Sequence, residues 1–402
     1  MATELSLRIS NDELAARRSA LLERLHSEDA AAVVLFGPTA IFWLTGFSFI
    51  PTERPLAMVL TRDRVLALVP SLEREHIRAA ADIDDVDVVS YDEYPGLEPP
   101  LKLLVRTLQE DVRTDGRTLA VDADGYPPRY GYRGPRLTEL LPNRQVNCAA
   151  LIEDLRLLKS SQELALLRES SRWADHTHRH MQELVRAGAN ENEVAVLASL
   201  RGSLDMVAGL GPEFDPKAWA MLPATAGFRS QIGANAAFPH AINRNLTMAG
   251  GDVLVTGASA LVWGYRCELE RTMFVGPPGP EQRRWFQLML GAQETALDAM
   301  KPGRRCADVD RAVRDYFDRE GITETWRHHV GHGLGMEVHE APFLDIGDER
   351  VMEPGMVFSV EPGIYVPGLG GFRHSDTVAI TDDGIELMTR YPRDLNSLIC
   401  AV

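Results

Sequence analysis

Disulfide-forming and membrane-spanning features are scarce in this sequence. Its 402 residues contain four cysteines, which are scattered and include no Cys-x-x-Cys pair, so we interpret them as reduced thiols. No apolar run approaches the roughly 20 residues that a membrane-spanning helix needs. The first residues also lack the basic-then-apolar pattern of a secretion signal. We therefore expect a cytoplasmic protein that does not associate with a membrane.

Long blocks of like charge and phosphate-binding loops are missing as well. The net charge is −16, and nothing offsets the repulsion that a polyanion would meet, so nucleic acid is disfavoured as a partner. The glycines of the first 150 residues form no phosphate-binding loop. What remains is an ordinary globular composition, 45% hydrophobic and 25% charged, in a chain long enough for two domains.

The first 150 residues alternate between helical and extended patterns. A helical pattern covers residues 11–25, with its leucines on one side. Apolar stretches of strand length follow at 30–36, 55–60, 65–69 and 118–121. This alternation predicts an α/β unit with a mixed sheet.

A second segment begins with a helix signal. Ser160 followed by Glu163 is a capping-box pattern and predicts the start of a long helix. We therefore place the domain boundary within residues 150–158. The predicted domains are 1–154 and 155–402.

Two stretches of the second segment resemble each other. Residues 186–194 resemble 301–309, with the same spacing from a glycine to a valine, and residues 251–255 resemble 355–359. A duplicated helix–helix–strand unit predicts two half-domains related by a pseudo-two-fold axis. A site between such halves would take its ligands from both.

Acidic and histidine residues are concentrated in this segment. Glu268 and Glu270 occupy alternate positions of an extended apolar stretch, which places both carboxylates on one strand face. Glu361 follows about 90 residues later, and between them lie His328, His329, His332 and His339. Carboxylates and imidazoles that converge from separate strands form either a metal site or a metal-free acid–base site.

A second group of histidines lies on the predicted long helix. His176 and His180 are four residues apart, so they share one helix face. Because the neighbouring residues are polar, we interpret this pair as part of a solvated helix face rather than as a metal site.

Several short motifs together resemble the creatinase/prolidase/aminopeptidase P superfamily, also called peptidase family M24, whose fold is known as pita-bread. The matching residues, in family order, are Ala236–His240, Gly264-Tyr265, Glu270-Arg271-Thr272, Gly331-His332-Gly333, Glu361-Pro362-Gly363 and Gly370–Arg373. The first segment is similar more loosely, through Trp43–Phe47. The resemblance implies an α/β N-terminal domain with a mixed sheet, followed by an α+β C-terminal pita-bread domain with an internal pseudo-two-fold repeat.

The resemblance also implies a metal site, which this sequence matches only in part. The peptidases hold two divalent metals with Asp, Asp, His, Glu and Glu, and the corresponding residues here are Gly257, Glu268, His332, Glu361 and Ser375. Glycine has no ligand atom and a serine hydroxyl is a weak, neutral one. Two adjacent divalent ions would therefore lack the carboxylates that neutralise them. One ion (Mn, Zn or Fe) on Glu268, His332 and Glu361 is an open alternative to no metal at all.

Creatinase, a branch of the superfamily that works without metal, is similar at three positions. They are His240, Glu270 within Leu-Glu-Arg-Thr, and Glu361. The resemblance implies that His240 shuttles a proton while Glu270 and Glu361 hold a positively charged nitrogen or amidine. His332 and His339 would orient water or substrate.

Substrate-binding residues are implied by the same resemblance. They are His328, Glu268, Arg373 and Arg54, of which Arg54 would reach a substrate carboxylate from a partner subunit. His339 differs from creatinase, which has a carboxylate-binding arginine there, so creatine itself is a poor candidate for the substrate.

These observations predict a hydrolase that cleaves a C–N bond in a small carboxylate-bearing substrate, without a cofactor and with His240 as proton shuttle. Two alternatives stay open. One is an Xaa-Pro dipeptidase or aminopeptidase P-like metallopeptidase with one divalent metal. The other is a binding protein that has lost catalysis. The expected partners are a small-molecule or dipeptide substrate and, from the resemblance, a second copy of the chain.

Overall fold

The structure of the protein, a computed structural model, describes residues 7–80, 83, 86–114, 116–218 and 222–402. The chain divides into two compact units, Ile9–Arg156 and Leu157–Val402, and residues 7 and 8 belong to the second unit. Among the described residues, no helix is both long enough and apolar enough to cross a bilayer.

The first unit is built around one six-stranded sheet. Its strands are β1 Ala30–Leu35, β2 Ala57–Leu60, β3 Val65–Pro70, β4 Val86–Tyr91, β5 Thr118–Val121 and β6 Gln145–Asn147. Its helices are α1 Asn11–Arg24, α2 Pro38–Thr45, α3 Arg74–Ala80, α4 Pro100–Glu110, α5 Leu137–Leu140 and α6 Ala149–Leu157. The strand order is β4-β3-β2-β1-β5-β6. Strand β2 pairs antiparallel with both neighbours and the other pairings are parallel, so the sheet is mixed, as predicted.

The interior strands of this sheet follow the apolar stretches of the sequence. Strands β1, β2, β3 and β5 lie within or overlap the predicted segments, and most of their residues are buried. Strands β4 and β6 were not predicted. They form the two edges of the sheet, where most side chains are half-buried and the apolar pattern is correspondingly weak.

The described part of the second unit consists of two helix pairs, two larger sheets whose strands pair antiparallel except in one parallel pair, and a two-stranded antiparallel sheet. Its helices are α7 Ser161–Leu184, α8 Glu191–Leu210, α9 Pro280–Ala299 and α10 Cys306–Glu320. Its strands are β7 Ala224–Gly227, β8 Val253–Val262, β9 Tyr265–Arg266, β10 Leu269–Val275, β11 Gly331–Gly333, β12 Glu340–Leu344, β13 Val357–Val360, β14 Gly363–Val366, β15 Gly370–Arg373, β16 Asp376–Ile380, β17 Ile385–Leu387 and β18 Ile399–Cys400.

The predicted capping box begins this unit. Ser160 accepts a hydrogen bond from the backbone N–H of Glu163 at 3.1 Å, and the Glu163 carboxylate accepts one from the N–H of Ser160 at 2.8 Å. Two amide donors that the first turn of α7 leaves open are thereby satisfied. The helix then runs for 24 residues and buries Leu166, Leu167 and Trp173 along one side.

The two halves of this unit repeat the same local structure. Gly188, after α7, donates its N–H to the carbonyl of Met248, and Gly303, after α9, donates its N–H to that of Met352, each at 2.8 Å. Both glycines have positive φ values, 79° and 84°, which explains why glycine occupies both positions. The predicted internal repeat is therefore confirmed down to single hydrogen bonds.

Each half contributes most of one larger sheet, and a backbone bridge joins the two sheets. The first sheet has the order β18-β10-β8-β7 and the second has the order β12-β11-β13-β16-β17. Glu270 in the first and Ser375, just before β16 in the second, exchange two backbone hydrogen bonds of 3.0 Å. The chemistry-bearing residues predicted from the sequence lie around this junction.

Candidate active site

Three ionisable side chains converge from the two sheets. Glu268 precedes β10, His332 lies in β11, and Glu361 follows β13. The Nε2 atom of His332 lies 3.3 Å from Glu361 Oε1 and 3.8 Å from Glu268 Oε2. Ligand atoms of the three residues all lie within 4.8 Å of one another. The predicted convergence of these residues is thus present in the structure.

The orientation of the His332 ring suits one cation at this point. Its Nδ1–H donates to the carbonyl of Gly333 at 3.0 Å, which directs the Nε2 atom at the two carboxylates. Nε2 is buried and, within the part of the chain that the structure describes, has no partner with hydrogen-bond geometry. An orphaned imidazole nitrogen between two carboxylates fits a single divalent ion with three protein ligands. The groups present therefore match one metal.

A second metal does not fit the residues that surround this position. Gly257 offers no ligand atom, and the Oγ of Ser375 donates a hydrogen bond of 2.8 Å to Glu268 Oε1. The hydroxyl is thus used to orient a carboxylate. Without carboxylates at positions 257 and 375, a pair of divalent ions has too little negative charge around it.

Glu270 does not join this group, because two arginines hold it. Arg373 binds its carboxylate through two hydrogen bonds, one from Nε and one of 2.7 Å from Nη2. Arg229 donates a third, from Nη2 at 3.0 Å. Glu270 and Arg373 are buried, whereas the Arg229 side chain is 51% exposed. The buried pair is compensated within the protein, and Arg229 is left accessible from the cleft.

A hydrogen-bonded chain continues from Arg373 to His328. Arg373 Nη1 donates to the hydroxyl of Tyr365 at 2.7 Å, and that hydroxyl donates to His328 Nε2 at 2.8 Å. His328 Nδ1–H in turn donates to the carbonyl of His329 at 2.8 Å. This directionality fixes His328 as a neutral imidazole, and burial lowers its pKa in agreement.

The charges of Glu268, His332 and Glu361, the central trio of this site, depend strongly on one another. Burial, followed by the charges of Glu361 and Glu270, raises the pKa of Glu268 to about 8. Burial would also raise the pKa of Glu361, but contact with His332 and the charge of Arg373 outweigh it and lower that pKa to about 2. For His332, burial is outweighed by Glu361 and Glu268, and the pKa rises to about 9. One positive charge between the two carboxylates is the arrangement this site favours.

His339 lies beside the trio as a stacked ring. Its centroid is 3.9 Å from that of His332 and the two planes differ by 14°. Burial, together with the charge of His332, lowers the pKa of His339. The residue is exposed on its other side. It can therefore contact a substrate and at the same time hold the His332 ring in place.

His240 lies near enough to His339 for its charge to act on that ring, but outside the hydrogen-bonded cluster. His240 lies in the exposed turn after the 3-10 helix Gly233–Ala237, where the preceding residue, Pro239, offers its carbonyl to Arg373 Nη1 at 3.5 Å. Among the described residues no hydrogen bond joins the His240 ring to Glu270 or Glu361. Arg54 belongs to the first unit, where it pairs with Glu53 at 2.5 Å. The catalytic role of His240 and the substrate role of Arg54 stay predictions.

Two residues of this site were not predicted from the sequence, Arg229 and Tyr365. Arg229 and the next residue, Ser230, both have positive φ values, 48° and 54°. The buried carboxylate of Glu191 stabilises this strained turn by accepting hydrogen bonds of 2.8 and 2.5 Å from the N–H and hydroxyl of Ser230. A sequence pattern carries no sign of such a turn. For Tyr365, its position just after Glu361-Pro362-Gly363 was a usable sign.

A cleft opens beside these residues. Its volume is about 370 Å³, and its lining includes Arg229, Gly257, Glu268, Glu270 and Val338. This volume is within the range of small-ligand sites. Acidic, basic and apolar groups thus share one cleft of small-molecule size within the second unit.

The two segments of the chain each match a known family. Residues 165–382 match metallopeptidase family M24, and residues 17–158 match the Creatinase/Prolidase N-terminal domain. The first match covers more than half of the chain. The chain therefore belongs to the M24 family of the creatinase/prolidase superfamily.

Named relatives agree with this assignment. The chain is 34% identical to the Xaa-Pro dipeptidase of Pyrococcus furiosus over 245 residues, which is 61% of this chain and 66% of that protein. It is 30% identical to the Xaa-Pro dipeptidase of Lactobacillus delbrueckii subsp. lactis over 363 residues, 90% of this chain and 93% of that one.

A solved structure is similar over nearly the whole length. The dipeptidase PepE of Mycobacterium ulcerans superposes with a TM-score of 0.80 at 26% identity and covers 98% of this chain and 100% of its own. The predicted two-part fold with a pita-bread domain is therefore confirmed. The prediction of a C–N hydrolase of this superfamily is confirmed at the level of the family.

Proposed function

We propose that this protein hydrolyses a C–N bond in a small substrate that carries a carboxylate, at a site that holds no more than one divalent cation. The convergence of Glu268, His332 and Glu361 beside a cleft of about 370 Å³ carries this proposal. Xaa-Pro dipeptides are the leading substrate class, because relatives at 30% and 34% identity are named Xaa-Pro dipeptidases.

One divalent cation would be held by Glu268, His332 and Glu361. When bound, it would supply Lewis-acid polarisation of the scissile carbonyl and increase the acidity of a nearby water. Ser375 keeps one oxygen of Glu268 oriented, and Gly333 fixes the ring nitrogen of His332 that faces the site. These contacts support a preorganised ligand set.

The chain's own residues can bind the substrate and move its protons. Without a cation the pKa of Glu268 is about 8, so its carboxyl group can hold or release a proton around neutral pH, whereas with a cation bound the carboxylate is a ligand. Arg229 is half exposed and can bind a substrate carboxylate. His339 and the neutral His328 are placed to orient the substrate.

A second candidate is a metal-free, creatinase-like hydrolysis of a small guanidine, amidine or urea, with His240 as proton shuttle. A separate observation favours it. Positions 257 and 375 lack carboxylates, while Glu270 adds one that is held by Arg229 and Arg373. In this candidate the positive charge between Glu268 and Glu361 comes from the protonated His332.

Substrate turnover with controlled metal content tests both candidates. The protein is purified without added metal, its metal content is measured, and Xaa-Pro dipeptides, guanidino, amidino and ureido acids are assayed with and without Mn²⁺, Zn²⁺ and a chelator. Dipeptide cleavage that requires one metal per chain supports the first candidate, and chelator-resistant cleavage of the other compounds supports the second. Two tightly bound ions per chain that are both lost in Glu361→Gln would overturn both.

Two variants with a matched control complete the test. Glu361→Gln should abolish cleavage in either candidate, because Glu361 is a metal ligand in the first and supports the charge of His332 in the second. His76→Gln changes an exposed histidine of the first unit and should leave cleavage unchanged. His240→Ala should stall the metal-free reaction.

If no panel compound is hydrolysed yet several bind, the third prediction, a non-catalytic binding protein, gains support. The homodimer and the cytoplasmic location stay predictions.

A further inference from the structure

The long helix carries a histidine pair that meets a carboxylate from the neighbouring helix. His176 and His180 lie four residues apart on α7, and Asp205 lies on α8. The Nε2 atoms of both rings lie 2.8 Å from the same oxygen, Asp205 Oδ2. Ligand atoms of all three residues lie within 4.8 Å of one another. This group is separate from the cleft residues.

The direction of the side chains distinguishes this group from a randomly charged helix face. His178, between the two, points into the core, where its Nε2 contacts the hydroxyl of Thr256 at 2.7 Å. His176 and His180 are only 34% and 21% exposed, and their rings pack edge to face with centroids 4.8 Å apart. The solvated-face interpretation made from the sequence did not anticipate this convergence, because Asp205 comes from another helix.

A further carboxylate supports one of the two rings. Glu183, one turn after His180 on α7, lies 3.7 Å from the Nδ1 atom of His180. Metal-binding histidines commonly have a carboxylate near the ring nitrogen that is not a ligand, since it fixes the tautomer and raises the basicity of the other nitrogen. Glu183, His180 and Asp205 thus form a carboxylate–imidazole–carboxylate arrangement within the protein itself.

We propose that His176, His180 and Asp205 form a binding site for one divalent transition-metal ion of the Zn²⁺, Ni²⁺ or Cu²⁺ type. Two imidazoles and one carboxylate are the ligand set that such ions prefer over Mg²⁺ and Ca²⁺, which favour oxygen alone. The partial exposure of all three residues leaves the remaining coordination positions open to water. Occupation would tie α7 to α8 and stabilise their packing.

Equilibrium dialysis of the full chain with Zn²⁺ tests the site. Because the cleft also has metal-ligand groups, the titration is made on the Glu361→Gln protein, with the wild type in parallel. We expect one Zn²⁺ equivalent that is lost in His176→Ala and in His180→Ala. Asp205→Asn should weaken it, and Glu183→Gln should weaken it by less than about 10-fold, because its carboxylate lies 3.7 Å from His180 Nδ1, beyond hydrogen-bond distance. Mg²⁺ should not compete.

The matched control is His76→Ala. His76 also pairs with a carboxylate on its own helical segment, Glu73, but it has no second histidine beside it. Its removal should leave the Zn²⁺ equivalent unchanged. Circular dichroism of each variant shows whether the fold is intact, and the Tm of the Glu361→Gln protein should rise with Zn²⁺ whereas that of Glu361→Gln with His180→Ala should not.

Tryptophan fluorescence supplies an independent measurement. Trp173 packs edge to face on His176 with ring centroids 5.4 Å apart, so Cu²⁺ at this site should quench its emission. The quenching should disappear in Trp173→Phe and in His180→Ala. If the Zn²⁺ equivalent and the Cu²⁺ quenching persist in both histidine variants, or if the Glu361→Gln protein binds no Zn²⁺ at all, the proposal is wrong.

Discussion

Glu270 lies directly opposite Gly257 in the antiparallel pairing of β10 with β8. A Cβ atom on Gly257 would lie 3.8 Å from both Cγ and Oε1 of Glu270, so the glutamate side chain lies over the bare glycine. The resemblance described above implies an aspartate in the peptidases at the position of Gly257. In this chain the carboxylate of the strand pair therefore belongs to Glu270 on β10, and Arg229 and Arg373 bind it.

Restoring the missing carboxylates should create a second metal site. The triple variant Gly257→Asp, Ser375→Glu, Glu270→Thr supplies the two ligands and removes the like charge that would face Asp at 257. Metal content measured after dialysis against Mn²⁺ or Zn²⁺ should rise by one ion per chain relative to the parent. The Ser375→Glu variant alone serves as control and should not gain an ion, because the glycine is still in place. An unchanged ion count in the triple variant would contradict the role we assign to these positions.

The two arginines on Glu270 should differ greatly in their contribution to stability. Arg373→Met removes a buried partner and leaves Glu270 with the half-exposed Arg229, so the free energy of unfolding should fall by about 3–5 kcal/mol. Arg229→Gln removes an exposed partner and should cost about 1 kcal/mol or less. Urea denaturation measures both. The double variant Arg373→Met, Glu270→Met should recover part of the loss, and equal costs for the two single variants would refute the assignment.

Local sequence patterns predicted the fold best where one short segment determines the structure. The Ser160–Glu163 capping box and the strand at residues 118–121 are examples, because a cap depends on four residues and an interior strand on one apolar run. Edge strands such as Gln145–Asn147 have too few residues and too little burial to leave a pattern. Their place is decided by the partner strand, which no local window contains.

Local sequence patterns predict the residues of the active site only in part, for the same reason. The motifs and the resemblance indicated Glu268, His332 and Glu361, and these residues converge. Arg229 could not be predicted, because a turn with two consecutive positive φ values brings it to Glu270, 41 positions further along the chain. The sequence likewise could not show that Arg373 binds a carboxylate of the protein. An arginine that binds a substrate carboxylate looks identical in a sequence.

Removing the Tyr365 hydroxyl should separate stability from catalysis. In Tyr365→Phe, Arg373 Nη1 loses its 2.7 Å acceptor and His328 Nε2 loses its donor. The buried arginine donor should cost about 1–3 kcal/mol in the free energy of unfolding. Because His328 is no longer held, kcat should fall more than KM rises on whichever substrate the panel identifies. An unchanged kcat with full loss of stability would limit Tyr365 to a structural role.

Acid unfolding should depend on His374, which lies beneath the site. Its ring is fully buried, its Nδ1 accepts from the N–H of Thr272 at 3.1 Å, and its Nε2–H donates to the carbonyl of Arg393 at 3.1 Å. The bond from Thr272 requires an unprotonated Nδ1, so the two bonds together require the neutral ring. Burial, and next the charge of Arg271, lowers the pKa of His374 to about 3, whereas the unfolded chain has a value of about 6.5.

The sign of the pH effect follows from these two values. Between pH 6.5 and about 3 the unfolded chain binds the proton and the folded chain does not, so the free energy of unfolding falls as the pH falls through this window. The contribution is about 1.4 kcal/mol per pH unit. His374→Asn keeps a donor and an acceptor but does not titrate, so its stability curve from pH 7 to 4, measured by urea denaturation, should be shallower than that of the wild type by roughly this slope. Parallel curves would show that His374 is already protonated in the folded protein or that its bonds to Thr272 and Arg393 do not form.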